Sequence, residues 1–248
     1  MIDYTTLKFV DSDDPNRIVN RVIDDWQQSG KHKIVHYIYY SNFILLGKDP
    51  VFYKSMQLSD YIFIDGIGMQ LYLKITKGKW VNNLNGTDLN PTFIKAIDER
   101  QIPITLYGTT KENIQEAGRK IMNYAKNKSI HYLCDGYSEL DWKNLQDNSV
   151  LFIGMGSPLQ ENWVASNLKE IEKRKLLVIT VGGFFDFASG FYVRAPKLVR
   201  QLKLEWAWRT LLHPKRHLKK RLRDFTIFFR PVIDKLLKRT RNLKILDL

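Results

Sequence analysis

Six short apolar runs punctuate the chain, at residues 33–39, 61–64, 102–107, 130–133, 150–153 and 177–181, and longer amphipathic stretches fill the gaps. Runs of four to seven residues are strand-sized, and their near-continuous apolar character fits a sheet covered on both faces. Helical periodicity at 15–29, 68–76, 91–100, 111–125 and 159–172 supplies the cover. Asn90-Pro91 reads as a helix start, a capping residue followed by proline at the first helical position. The alternation predicts an α/β fold: a doubly wound, Rossmann-like parallel sheet with helices on both faces. The pattern does not encode strand order. A chain of 248 residues can bury one large core with an appendage.

In such a sheet, ligands bind beyond the carboxyl ends of the strands. Five of the runs lead into glycine, usually beside a carboxylate or an amide. They end in Asp65-Gly66-Ile67-Gly68, Gly108-Thr109-Thr110, Asp135-Gly136-Tyr137, Gly154-Met155-Gly156-Ser157-Pro158-Leu159-Gln160-Glu161 and Gly182-Gly183-Phe184-Phe185-Asp186. Any one of these glycines is explained equally well by a tight turn or by a ligand approaching backbone N–H groups. Five together favour a ligand of nucleotide size. No G-x-G-x-x-G or P-loop accompanies them, so a dinucleotide enzyme or P-loop ATPase has no motif behind it.

Charge divides the chain unevenly. Of 39 Lys+Arg and 26 Asp+Glu, 17 and 4 fall in residues 194–248, so the whole net charge of +13 sits there and residues 1–193 are neutral. The division predicts a catalytic core over 1–193 and a basic amphipathic appendage over 194–248 with an anionic partner. Leu204-Glu205-Trp206-Ala207-Trp208-Arg209, then His213-Pro214-Lys215-Arg216 and Lys219-Lys220-Arg221, has the make-up of a diphosphate clamp. Residues 225–239 alternate apolar and basic side chains at helical spacing, interrupted at Pro231. That composition suits a helix lying on an anionic membrane surface; the alternative is a basic helix packed on the body by its aromatic face. Cys134, alone, forms no intramolecular disulfide, which favours a cytosolic compartment, and no signal peptide or membrane-length apolar run is evident.

Among chemistry-bearing groups, Asp65 reads as a general base at the sheet rim or as a helix cap, and both roles are compatible. Asp11-Ser12-Asp13-Asp14 contains a D-x-D, but its place before Pro15 favours a solvated loop and helix cap. His36, His131, His213 and His217 show no metal-ligand spacing, so no metal and no cofactor is expected. There is no Gly-x-Ser-x-Gly nucleophile elbow.

These same residues resemble the bacterial WecG/TagA/CpsF glycosyltransferases (glycosyltransferase family 26). The resemblance rests on Asn42 with Lys48-Asp49-Pro50, Asp65-Gly66-Ile67-Gly68, Asn85-Gly86-Thr87-Asp88-Leu89 and the 154–161 segment. It continues through Val181-Gly182-Gly183-Phe184-Phe185-Asp186-Phe187, Arg194-Ala195-Pro196 and Leu204-Glu205-Trp206 followed by Arg209 and Arg216. It implies an inverting, metal-independent transfer from a UDP-sugar to a polyprenyl-diphosphate-linked sugar at the inner membrane face, in teichoic acid, capsule or exopolysaccharide assembly. It puts the catalytic aspartate on Asp65, an acidic pair on Thr87 and Asp88, and appendage arginines on Arg209 and Arg216. Tyr40 replaces a family threonine, Leu159 a lysine and Lys219 an arginine. The remaining substrate-binding candidates are Asn42, Gly66, Gly108, Asp135, Gly136, Gly154, Gly156, Pro158, Gln160, Glu161, Gly182, Gly183, Asp186 and Arg194. Homo-oligomerisation is left open. Competing readings are a nucleic-acid-binding protein with a basic arm and a non-catalytic nucleotide-binding partner of a membrane synthase. The apolar residues of the tail, wasteful for phosphate binding in water, disfavour nucleic acid.

Overall fold

Alternate residues of each central strand point to opposite faces, and here both sets are apolar, so each face demands its own helical layer. The computed structural model describes residues 4–127, 129–196, 198–199, 204–212, 226, 229–237 and 243–248. Among these, the strands are β1 (Phe9–Asp11), β2 (Lys33–Ile38), β3 (Tyr61–Ile64), β4 (Ile104–Gly108), β5 (Ile130–Cys134), β6 (Val150–Gly154), β7 (Leu177–Thr180) and β8 (Ile245–Asp247). They form one sheet in the order β5-β4-β6-β7-β2-β3-β1-β8, parallel throughout. The helices are α1 (Pro15–Ser29), α2 (Tyr40–Phe43), α3 (Pro50–Leu58), α4 (Gly66–Lys77), α5 (Gly86–Glu99), α6 (Lys111–Met122), α7 (Leu159–Ser166), α8 (Leu168–Lys173), α9 (Phe184–Ala188), α10 (Glu205–Leu212) and α11 (Arg230–Leu236).

One face carries Val35, Phe63, Leu106, Phe152 and Ile179 against α1, α5, α6 and α9. The other carries Ile38, Ile62 and Ile64 against α2, α3 and α4, and Ile34, Leu151, Ile153 and Val178 against α7 and α8. The expected α/β doubly wound architecture is therefore present. No helix among the described residues is long and apolar enough to cross a membrane.

Several boundaries differ from the sequence reading, each for a physical reason. The helix expected to begin at Asn90-Pro91 begins a turn earlier, capped by the Asn85 side chain on the Asp88 N–H at 3.0 Å. Asn90 is fully buried, and Pro91 lies inside the helix, where it withholds the N–H that the Thr87 carbonyl would receive. The 159–172 helix breaks at Asn167, whose side chain turns back to the Trp163 carbonyl at 2.8 Å. Strands β1 and β8 and helix α3 carry no usable pattern of their own. Asp14 caps α1 as expected, but Asp11 is buried rather than solvated, accepting from the Asn82 backbone N–H at 2.8 Å and pairing with Lys79 at 3.2 Å. The division at residue 193 does not separate the end of the chain from the core: β8 pairs with β1, and Leu243 is buried among Phe9, Phe43 and Tyr72.

Candidate functional site

The chain leaves β2 toward α2 on one face of the sheet and β7 toward α9 on the other. Because β2 and β7 are neighbours, this divergence makes a topological switch point, with a crevice beyond their carboxyl ends. Around it stand residues 39–42 after β2, 65–66 after β3, 154–158 after β6 and 181–183 after β7. Two shallow cavities, one beside Pro103 and Ile130 and one beside Tyr61, open at the opposite, amino-terminal edge.

Asp65 continues the ladder through its N–H to the Ile38 carbonyl at 2.8 Å, which fixes its backbone at the rim. It stands at the cap position of α4, yet its side chain does not bond the helix amides. Asn83 takes that task, accepting the Gly66 N–H at 2.7 Å. Of the two roles open to Asp65, the cap is thus filled by a residue eighteen positions away in sequence, and the carboxylate stands half-buried beside Tyr37. Burial, and then the charge of Asp65, push the Tyr37 hydroxyl well above its ordinary range, so it stays a neutral donor, 2.8 Å from Asn90 Oδ1.

The partners of the other predicted carboxylates hold neighbouring elements together. Asp88 accepts from Asn85 Nδ2 at 2.8 Å and from Arg194 Nη1 at 2.8 Å, tying the start of α5 to the segment after α9. Thr87 lies half-buried in the same turn. Asp186 accepts from the Thr109 hydroxyl and from Asn113 Nδ2 at 3.1 Å, clamping the β4–α6 turn to α9. Asp135 folds its own turn, accepting the Ser138 hydroxyl at 2.8 Å and the Tyr137 and Ser138 N–H groups at 3.0 Å, and these bonds hold its carboxyl below the usual range.

The glycines divide into two kinds. A Cβ on Gly108 would stand 2.3 Å from the Gly154 carbonyl oxygen, one on Gly154 2.5 Å from the Phe185 ring, and one on Gly136 3.1 Å from Gly108. Those three are explained by the chain's own close packing. Around Gly66, Gly156, Gly182 and Gly183 a Cβ would meet nothing, so the space there is open to a ligand.

Asn42, Gln160 and Glu161 are buried beneath the crevice floor. Asn42 Oδ1 accepts the Tyr39 N–H at 2.7 Å while its amide donates to Ser157 Oγ at 3.2 Å, beside Pro158. Gln160 Oε1 accepts the Gly182 N–H at 3.0 Å. Local sequence gave no sign of Tyr37 or Asn83, and read Asn90 only as a helix cap and Ser157 only as part of the 154–161 segment, because each acts through a partner far away in the chain. Among the described residues no three His, Cys, Asp or Glu side chains converge as a metal site. His36 is fully buried between Ser55 Oγ at 3.1 Å and Thr180 Oγ1 at 3.0 Å, and burial lowers its pKa to about 3.

Arg209 lies within α10, while Arg216 and Lys219, with His213 and His217, fall outside the described residues. Helix α11 reverses the usual arrangement. It packs on α4 through Pro231 and Asp234, the latter accepting from the Tyr72 hydroxyl at 2.9 Å and Arg230 Nε at 3.2 Å. Phe229, Val232, Ile233, Leu236 and Leu237 face outward. Over residues 229–237 this is the opposite of a helix packed on the body by its aromatic face, while Phe225 and Phe228 fall outside the described residues.

The sequence profile of the Glycosyl transferase WecG/TagA/CpsF family matches residues 6–242. The chain belongs to that family. This WecG/TagA/CpsF member is 29% identical over 172 residues to the N-acetylglucosaminyldiphosphoundecaprenol N-acetyl-beta-D-mannosaminyltransferase of Bacillus subtilis (strain 168), covering 67% of this chain and 66% of that protein. Proteins of the same description in Bacillus spizizenii (strain ATCC 23059 / NRRL B-14472 / W23) and Staphylococcus aureus (strain NCTC 8325 / PS 47) are 25% and 27% identical. Those matches cover 68% and 64% of this WecG/TagA/CpsF member and 67% and 63% of the relatives.

Proposed function

We propose that the protein is an inverting glycosyltransferase that moves a sugar from a UDP-sugar to a polyprenyl-diphosphate-linked sugar in cell-surface polymer assembly. The observation that carries this reading is Asp65, a carboxylate at the switch-point rim that Asn83 relieves of helix capping. The family's relatives are named for transfer of N-acetylmannosamine to an N-acetylglucosaminyl-diphosphoundecaprenol acceptor, so that pair of sugars is the first to test.

In the proposed step the acceptor hydroxyl oxygen forms a bond to the anomeric carbon of the donor as the bond from that carbon to the UDP oxygen breaks. Asp65 takes the hydroxyl proton, and UDP departs with the electron pair. The open turns at Gly156 and Gly182–Gly183 offer space for the diphosphate, and Arg209, Arg216 and Lys219 supply positive charge as it leaves, without a metal ion. Helix α11, with Lys235 and the exposed Leu71, Lys74 and Ile75 of α4, forms an apolar and basic face suited to an anionic membrane. On the inner leaflet that face would hold the crevice near a lipid-linked acceptor.

The test is UDP release by the full-length protein with a polyprenyl-diphosphate-GlcNAc acceptor in liposomes, a panel of UDP-sugars and EDTA. Acceptor-dependent release that persists in EDTA and falls 10²- to 10⁴-fold in Asp65→Asn is expected, the range typical of a lost general base. Unchanged release in Asp65→Asn would remove the base from the mechanism. UDP binding with no release across the panel would favour the non-catalytic reading.

A further inference from the structure

We propose that Glu161 is a positioning residue for this transfer, a neutral carboxylic acid that locks together the ends of β2, β6 and β7 beneath the crevice. The inference deepens the function proposed above and rests on it. Glu161 is fully buried, which excludes direct contact with a substrate in the crevice. One carboxyl oxygen, Oε1, accepts from Gln160 Nε2 at 2.9 Å, and the same Gln160 amide holds the Gly182 N–H through its own oxygen at 3.0 Å. Both ends of one amide are thus committed, the first to Glu161 and the second to the open turn after β7. Ser157, beside the Glu161 carboxyl, accepts from Asn42 at 3.2 Å, which carries the network to the end of β2. From below, Ser55 Oγ donates to the Glu161 backbone carbonyl at 2.6 Å.

The second carboxyl oxygen, Oε2, is buried with no hydrogen-bond partner. As an ionised acceptor it would be an unpaired charge in a dry site, a far larger penalty than that of an unpartnered neutral O–H. Burial accordingly raises the Glu161 pKa to about 7, against the smaller opposing effects of Gln160, of the backbone N–H of Glu161 and of Ser157. Helices α3 and α8 pack against α7. The titratable groups on those helices are Tyr53 and Lys54 of α3 and Lys169, Glu170, Glu172 and Lys173 of α8, and His36 of β2 is held neutral. Loss of the proton therefore leaves a buried anion that Gln160 and Ser157 stabilise only in part, and water drawn to it would disturb the Gln160 amide and with it the Gly182 turn.

The experiment compares full-length wild type, Glu161→Gln and Glu161→Ala by turnover and by thermal unfolding from pH 5.5 to 9. Gln is isosteric and cannot ionise. Expected is wild-type turnover that falls on an alkaline limb near neutrality, a Glu161→Gln enzyme active at pH 6 whose limb moves up by about one unit or more, and at least tenfold lower kcat in Glu161→Ala. The melting temperature of Glu161→Gln should rise relative to wild type as pH increases. An alkaline limb unmoved in Glu161→Gln, or a folded Glu161→Gln as impaired as Glu161→Ala at pH 6, would overturn the proposal. So would a melting difference that does not change with pH, which denies the buried proton. Wild type inactive with every donor and acceptor would reject the functional reading and the positioning role with it. A pH-dependent melting difference would then still separate that failure from absence of the neutral acid.

Discussion

The outward-facing side of α11 gives a prediction whose size follows from the structure. Phe229, Ile233 and Leu236 are 70%, 48% and 77% exposed, so together they leave about two whole side chains of apolar surface in water. Immersing a large apolar side chain is worth ~2 kcal/mol, which sets an upper bound near 4 kcal/mol for the three. If the helix enters the interface to half that depth, about 2 kcal/mol remains, a factor of ~30 in the partition coefficient. The triple variant Phe229→Ser, Ile233→Ser, Leu236→Ser should therefore bind vesicles of anionic lipid at least tenfold more weakly in a flotation or sedimentation assay. Its folding stability should change little, because surface substitutions usually stay within ~0.5 kcal/mol each. Raising salt should weaken wild-type binding further, through the basic residues, and leave the apolar share. A triple variant that binds vesicles as tightly as wild type would refute the assignment of this face to a membrane.

Three further outcomes are expected. Glu161 holds its proton to about pH 7 when folded against an ordinary carboxyl value of 4.5, so the native state binds the extra proton between those limits. Wild-type stability should fall as pH rises through that window by ~3 kcal/mol from this group, and Glu161→Gln should escape the loss when chemical denaturation is followed at pH 5 and pH 8. Gly108→Ala, whose Cβ would press on the Gly154 backbone, should cost about 3 kcal/mol or more, whereas Gly156→Ala, with open space but φ of +79°, should cost ~1 kcal/mol; urea titrations compare them. Removing residues 243–248 deletes β8, the buried Leu243 and the Lys79–Asp247 ion pair, and should destabilise the body by ~2 kcal/mol or more by calorimetry.

The sequence by itself determined the α/β class, six of the eight strands among the described residues and the glycine-rich rim, because apolar periodicity and turn chemistry are local signals carried by neighbouring residues. It also marked Asp65 as a candidate and separated a neutral body from a basic tail. Only the tertiary structure decided which neighbour each polar group meets. Asp65 is released from capping by Asn83, while Asp88 is engaged by Arg194 and Asp186 by Thr109 and Asn113. Glu161 sits as deep as the apolar core. Strand pairing, not pattern, brings β8 to the sheet edge beside β1, and the buried Asp234 turns the apolar side of α11 outward. Hydrogen bonds between residues tens to hundreds of positions apart leave no trace in local spacing. The glycines make the same point: Gly154 and Gly156 are two residues apart, yet the first is required by the Phe185 ring packed against it and the second faces open space.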